Sequence, residues 1–274
     1  MQHLRNSLKK LWGRIVTPVG RCFREQKPLF ESCLPFMHRN GQTGMSAPLI
    51  FFILFAGAAF GMSRAPGKVI AETFDASWTN RWAVEGDSVV TAADGQIKVE
   101  KKFPEQVNTA TIWLKQKIPA DFVIELTAEV FETEAPNAAN LNLIFSAHEA
   151  DDSPVQFTRS GDYPEYHKFP NYIFTLVGGI RPGHSRVRRN PGFNLLSDRQ
   201  DIRSEPGRVY RIKVVCNAGR IQAFVDDIYL HDVIDPQPLP GGRLALRTWN
   251  STVAWRDIKI RPLNGNEKGE TLCP

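Results

Sequence analysis

Only four cysteines occur in 274 residues, and none of them forms a CxxC pair or sits at ligand spacing from a histidine. That excludes a disulfide-stapled mini-protein and argues against a zinc site. Cys22 and Cys33 lie near the N-terminus. Cys216 shares a strand face with Tyr210, Ile212 and Val214 and reads as a small buried hydrophobe. Gly-rich phosphate loops, nucleophile elbows and metalloprotease signatures are also absent, as is any stretch that keeps a helical period for three turns. Basic charge is scarce where it would matter for nucleic acid. The net charge of +5 comes from a basic leader over residues 1–46, and the rest of the chain is close to neutral. Basicity of the whole chain therefore gives no support for nucleic-acid binding by the body.

What is present begins with the leader. Residues 47–62, APLIFFILFAGAAFGM, carry no charge. As a helix they would rise about 24 Å, short of the roughly 30 Å hydrocarbon core of a bilayer. Basic residues, then an apolar run, then small residues is the order of a secretory signal. Translation from Met37 would leave a signal of ordinary length. The rival is an uncleaved anchor helix with a basic cytoplasmic tail. Both put the body outside the cytoplasm, secreted, periplasmic or membrane-anchored, with the membrane touched only through this segment. The expected division is a leader over 1–46, a signal or anchor over 47–63, one domain over 67–264 and a tail over 265–274.

Beyond residue 69 the dominant period is two. DFVIELTAEVF puts Phe122, Ile124, Leu126, Ala128 and Val130 on one face. NLNLIFSAH puts Leu141, Leu143, Phe145 and Ala147 opposite Asn140, Asn142, Ser146 and His148. RLALRTW sets Leu244 and Leu246 against Arg243, Arg247 and Trp249, and RIQAFVDDIYL reads as a hairpin turning at Asp226-Asp227. Many half-buried strands with no helices to cover them imply an all-β sandwich of two antiparallel sheets. Residues 151–205 break the pattern. They are rich in Pro, Gly, Arg and aromatics and offer one clear strand, NYIFTLVGG. A long irregular segment in a compact domain is commonly functional, and its aromatics argue against disorder.

The order of these strands, from ETFDASWTNRWAVEGDSVVTAADGQIKVE to GRVYRIKVVCNAGRIQAFVDDIYLHD and GGRLALRTWNSTVAWRDIKIRPL, resembles concanavalin A-like jelly-roll domains of bacterial polysaccharide-degrading systems. The chain is most similar to YesU-like domains of unknown function and, more distantly, to the 3-keto-disaccharide hydrolase domain. The resemblance implies a polysaccharide or oligosaccharide partner. It leaves three readings open: cleavage of the glycan, lectin-like binding alone, or processing of a 3-keto-glycoside.

The residues weigh these readings unequally. No E-x-D-x-x-E string occurs. Glu125 and Glu129 share a strand face but stand about 13 Å apart, beyond the usual acid–base separations. RPGHSRVRRNPGF holds Arg181, His184, Arg186, Arg188 and Arg189 with no acid. Guanidinium forks bind carboxylate or sulfate oxygens in bidentate fashion. Tyr163, His167, Asn171 and Tyr172 lie close in sequence. Such a set suits β-elimination from a uronate polymer, with Arg neutralising the carboxylate and His or Tyr moving the proton. The candidate catalytic groups are His184, Tyr172 and His148. Alternatively, Arg186, Arg188 and Arg189 pair with Asp198, Asp201 or Glu205 and pin the segment. Asn142, Arg247 and Trp249 are expected to border a groove, Trp249 offering a face for sugar stacking. No cofactor is called for. Asp226, Asp227, Asp232 and Asp235 would suit a structural calcium, although a turn explains the first two.

Overall fold

A computed structural model describes residues 68–263. The leader, the apolar run, Cys22, Cys33 and Cys273 lie outside the described residues. No helix among the described residues is long and apolar enough to cross a membrane.

Strands follow in chain order as β1 (Ile70–Ala71), β2 (Trp82–Gly86), β3 (Val89–Ala93), β4 (Gln96–Glu100), β5 (Thr109–Leu114), β6 (Phe122–Val130), β7 (Leu141–Ala147) and β8 (Asn171–Val177). Then come β9 (His184–Asn190), β10 (Asn194–Arg199), β11 (Arg208–Asn217), β12 (Arg220–Val225), β13 (Ile228–Ile234), β14 (Arg243–Trp249) and β15 (Val253–Pro262). One sheet runs β13-β12-β11-β6-β15-β4-β3, with β1 added on β15; the other runs β10-β9-β8-β7-β14-β5-β2. Every strand pairing is antiparallel, so the described residues form the two-sheet sandwich that the alternation predicts.

The core lies between the sheets. Phe122, Ile124, Leu126, Ala128 and Val130 of β6 face Leu141, Leu143 and Phe145 of β7 and Leu244 and Leu246 of β14, all buried. Each fully buried Leu or Phe contributes about 2 kcal/mol, which makes a one-residue slip of any of these strands prohibitive. Trp82 and Trp255 fill the same core, as does Cys216, whose thiol is pushed up by burial. Asp226 and Asp227 both take positive φ, 51° and 64°, the geometry of a type I′ turn between β12 and β13.

The second sheet departs from the sequence expectation in two places. Ser146 takes a positive φ of 53°, and the β7–β14 register shifts between Arg243 and Ala245. This bulge turns Ala147 out of the intersheet core and into a cluster on the outer face of the second sheet. The arginine-rich segment, expected as part of an irregular insert, is strand β9, and β10 comes after it. Its inward residues are Ser185, Val187 and Arg189, of which one alone is apolar, so a period of two is hard to see in the sequence.

Candidate functional site

The outer face of the second sheet is divided. One half is covered by residues 149–170, which carry a 3-10 turn at Tyr163–His167. Tyr166, Phe169 and Val155 of this cover pack on Trp113, Ile144, Ile173 and Ala245. The other half is an open groove of about 520 Å³. Its floor comes from the outward residues of four strands: Asn142 of β7, Thr175 and Val177 of β8, His184, Arg186 and Arg188 of β9, and Arg247 and Trp249 of β14. Tyr163 of the cover closes one side, with Phe193 from the β9–β10 turn and Arg181 from the β8–β9 connection.

The neutral polar groups on this floor satisfy one another. Thr175 Oγ1 donates to Asn142 Oδ1 at 2.7 Å. The Asn142 amide donates to Asn140 Oδ1 and to the Arg247 carbonyl. The cations are less well matched. Arg186 is held by Asp198, Nε to Oδ1 at 2.9 Å. Arg188 stacks on Phe193, 3.7 Å from the ring centre, and donates to the Phe193 carbonyl. Arg181 lies over Trp249 at 4.5 Å. Arg247, 2% exposed, packs over the rings of Tyr163 and Tyr166 and donates from Nη2 to the Gly161 carbonyl, while its Nε has no partner. Gly161 takes a φ of +95°, and a Cβ there would lie 2.6 Å from Thr109 Oγ1, so glycine is required where Arg247 is anchored. Among the described residues no carboxylate pairs with Arg181, Arg188 or Arg247, and no carboxylate lines the groove.

Burial sets the protonation of these groups. It holds the guanidinium groups of Arg247 and Arg188 below the usual arginine range and raises the Tyr163 phenol. His184 is lowered by burial and then by the Arg186 charge. His167 is lowered to about 4, first by burial and then by Arg188 and Arg247. It sits behind the groove, 3.9 Å from the Phe193 ring centre and edge-on to Tyr163.

The structure thus brings together Asn142, Tyr163, Arg181, His184, Arg186, Arg188, Arg247 and Trp249. Four sequence candidates lie elsewhere, besides His167. Tyr172 is on the inward face of β8, where its hydroxyl donates to Asp235 Oδ2 and accepts from the Leu239 amide. Arg189 points the same way and pairs with Asp235 at 2.7 Å, because one residue along a strand reverses the face. Asn171 is fully buried and donates to the carbonyls of Tyr166 and Phe169. His148 comes just after the Ser146 bulge and faces Asp152 at 3.3 Å, away from the groove. The four aspartates considered for calcium do not converge: Asp226, Asp227, Asp232 and Asp235 pair with Arg208, Arg211, Arg220 and Arg189 in turn. No group of three His, Cys, Asp or Glu side chains among the described residues is arranged to hold a metal. Thr175, Val177 and Phe193 join the groove without having been candidates, although alternation along NYIFTLV puts Thr175 and Val177 on one face.

A family profile described as a domain of unknown function, DUF6250, matches residues 105–258, a span that includes every groove residue. The chain belongs to the DUF6250 family. No curated protein sequence matches it. Among solved structures, this DUF6250 chain is similar to a Bacillus subtilis protein of unknown function with a galectin-like fold, at 16% identity and a TM-score of 0.63, over 72% of this chain and 97% of that one. It is also similar to the calcium-bound exoplasmic/lumenal domain of VIP36, at 12% identity and a TM-score of 0.52, over 75% and 92% of the two chains. Lectin UEA-II, solved in complex with galactose, matches at 8% identity and a TM-score of 0.51, over 72% and 99%. At these identities the likeness establishes the fold, a lectin-like sandwich, and nothing finer.

Proposed function

We propose that this DUF6250 domain binds a polysaccharide, an acidic one, in the groove on the outer face of its second sheet, and does so without cleaving it. The observation that carries the reading is the lining itself: one indole, Trp249, now stacked by Arg181, which a sugar ring would displace, beside amide and guanidinium groups, with no carboxylate. Sugar rings stack on indole through their C–H faces and need polar partners for their hydroxyls. Hydrolysis by paired carboxylates has nothing in this groove to work with. The similarity to VIP36 and to a galactose-bound lectin supports the same reading, as does the resemblance of the closing strands to YesU-like domains of polysaccharide-degrading systems.

Cleavage by β-elimination draws support from His184 and Tyr163 beside Arg188. Against it, Tyr172 and His148 lie outside the groove. The Tyr163 phenol is moreover raised by burial, the wrong direction for a base. Titration of the protein with a panel of acidic and neutral polysaccharides tests the proposal. Saturable binding that Trp249→Ala weakens about tenfold, with no new absorbance from an unsaturated uronate and no released 3-keto sugar, is the expected result. Product formation overturns the binding-only reading, and no binding to any glycan overturns the groove.

A further inference from the structure

Hydrogen bonding and charge are balanced differently in the groove. Thr175 has one hydroxyl proton, and it goes to Asn142 Oδ1. Both hydrogens of the Asn142 amide are taken, by Asn140 Oδ1 and the Arg247 carbonyl. The protons of Thr175 and Asn142 are thus spent within the protein, while their oxygens can still accept from a sugar hydroxyl. The guanidinium groups are not spent in this way. Arg186 has Asp198, but Arg188 uses a single N–H on the Phe193 carbonyl and Arg247 uses one on the Gly161 carbonyl. Arg247 is an almost wholly buried cation packed over two neutral phenol rings; the Asp162 charge is near enough to act on it but forms no ion pair with it. A buried charge without a directly paired counter-ion is costly, and the groove is where one would enter. Pairing of these arginines with acids, the alternative to an anion site, holds for Arg186 and Arg189 but not for Arg181, Arg188 or Arg247 among the described residues.

We infer that Arg188 and Arg247, walled by Tyr163 and Phe193, form a subsite for one oxyanion substituent of the bound glycan, a carboxylate or a sulfate. This rests on the proposal that the groove binds a glycan. Arg188 supplies the fork, since its bond to Phe193 is made from Nη1 and leaves the Nε–Nη2 edge unused. Arg247 supplies charge from beneath, where low polarisability makes it felt more strongly. Trp249, at the other end of the floor, serves the sugar ring whatever its charge.

The test uses the full chain and three probes of equal length: an oligo-uronide, the same oligomer with its carboxyls reduced to alcohols, and a sulfated neutral oligosaccharide. Binding is followed by calorimetry. At least one oxyanion-bearing probe should bind about tenfold or more tightly than the reduced oligomer, the scale of one charge-assisted hydrogen bond. Which of the two does so identifies the oxyanion. Arg188→Gln should abolish that preference, weakening the oxyanion-bearing probe several-fold more than the reduced oligomer. Arg188→Lys should keep part of the preference and lose more of it as salt is raised. Trp249→Ala should weaken charged and reduced probes alike. Equal binding of all three probes by the unmodified protein overturns the subsite and leaves the glycan reading standing. An Arg188→Gln variant that melts normally yet keeps the preference also overturns it. Failure of every probe to bind overturns the subsite and the glycan reading together.

Discussion

Glu85 accepts three hydrogen bonds: from Trp113 Nε1 at 2.8 Å, from the Tyr166 hydroxyl at 2.9 Å and from the Arg159 amide at 2.9 Å. Trp113 belongs to the sheet, and the other two belong to the cover over residues 149–170. The carboxylate is 3% exposed, so one side chain holds the cover to the sheet where water cannot take its place. The cover also brings in Tyr163 and the Gly161 carbonyl that anchors Arg247. Glu85→Ala leaves two buried donors and the half-buried Arg159 amide without a partner and should cost about 3 kcal/mol. For a domain of this size that is a melting decrease of roughly 6–12 °C. Differential scanning calorimetry checks this, and a decrease of less than about 2 °C would mean that Glu85 does not hold the cover. Glu85→Gln keeps the shape and one acceptor and should cost about half as much.

At the level of elements, β9 divides its arginines by parity. Arg186 and Arg188 face the groove, while Arg189 faces inward to Asp235, whose other oxygen accepts from the Gln237 amide. Arg189→Ala strips a nearly buried carboxylate of its cation and should cost about 2–3 kcal/mol of stability. Glycan affinity should change by less than about twofold. Urea unfolding and calorimetric titration of the same variant separate the two effects, and a normal urea midpoint with lost binding would reverse the assignment of faces. Strands with apolar inward residues are plain in the sequence: Leu141, Leu143 and Phe145 of β7 and Leu244 and Leu246 of β14 alternate cleanly, and with them Asn142, Arg247 and Trp249 fall on one face. Strand β9 is concealed, because a strand near the sheet edge can turn Ser185 and Arg189 inward and satisfy them with polar partners. The Ser146 bulge is concealed too, since a positive φ at serine has no signature in composition, and that bulge moves Ala147 and His148. Tyr172 is a different case. Alternation along NYIFTLV already assigns it to the face of Phe174 and Leu176, and its closeness in sequence to the arginines is a misleading signal.

The body as a whole is close to electrically neutral and the leader is basic, so two predictions belong to the whole chain. We propose that the body is exported and that the natural protein begins near residues 59–66 if the apolar run is cleaved. N-terminal sequencing of the native product checks this, and a cytosolic protein beginning at Met1 would contradict it. The second prediction concerns acid. His231 is 1% exposed between the sheets, with Nε2 at 2.8 Å from Ser185 Oγ and Nδ1 at 2.8 Å from Ser197 Oγ. Ser185 gives its proton to the Thr175 carbonyl, so it accepts from Nε2, and burial, which disfavours a second ring proton, leaves Nδ1 to accept from Ser197. The imidazole is therefore neutral in the folded protein. Its pKa is lowered from 6.5 to about 4, first by burial and then by the Arg199 charge, and His167 is lowered to about 4 as well. Above pH 6.5 both residues are neutral whether the chain is folded or not, and stability is at its full value. As pH falls from 6.5 toward 4, the unfolded chain takes up protons that the folded chain refuses, and stability falls. For His231 the loss approaches about 3 kcal/mol at the bottom of that window, with smaller shares from the less buried His167 and His184, which are lowered too. The lowered carboxylates, such as Glu72 with its ordinary value of 4.5, act mainly below the window and cannot mimic it. Urea midpoints measured from pH 7.5 to 4.5 should therefore decline steadily below 6.5. His231→Gln, which can keep one of the two hydrogen bonds, should be less stable at pH 7.5 and lose the larger part of that slope. A midpoint that stays flat to pH 4.5 would mean that the two histidines are protonated or exposed in the folded chain, contrary to their packing between Ser185 and Ser197 and against Phe193.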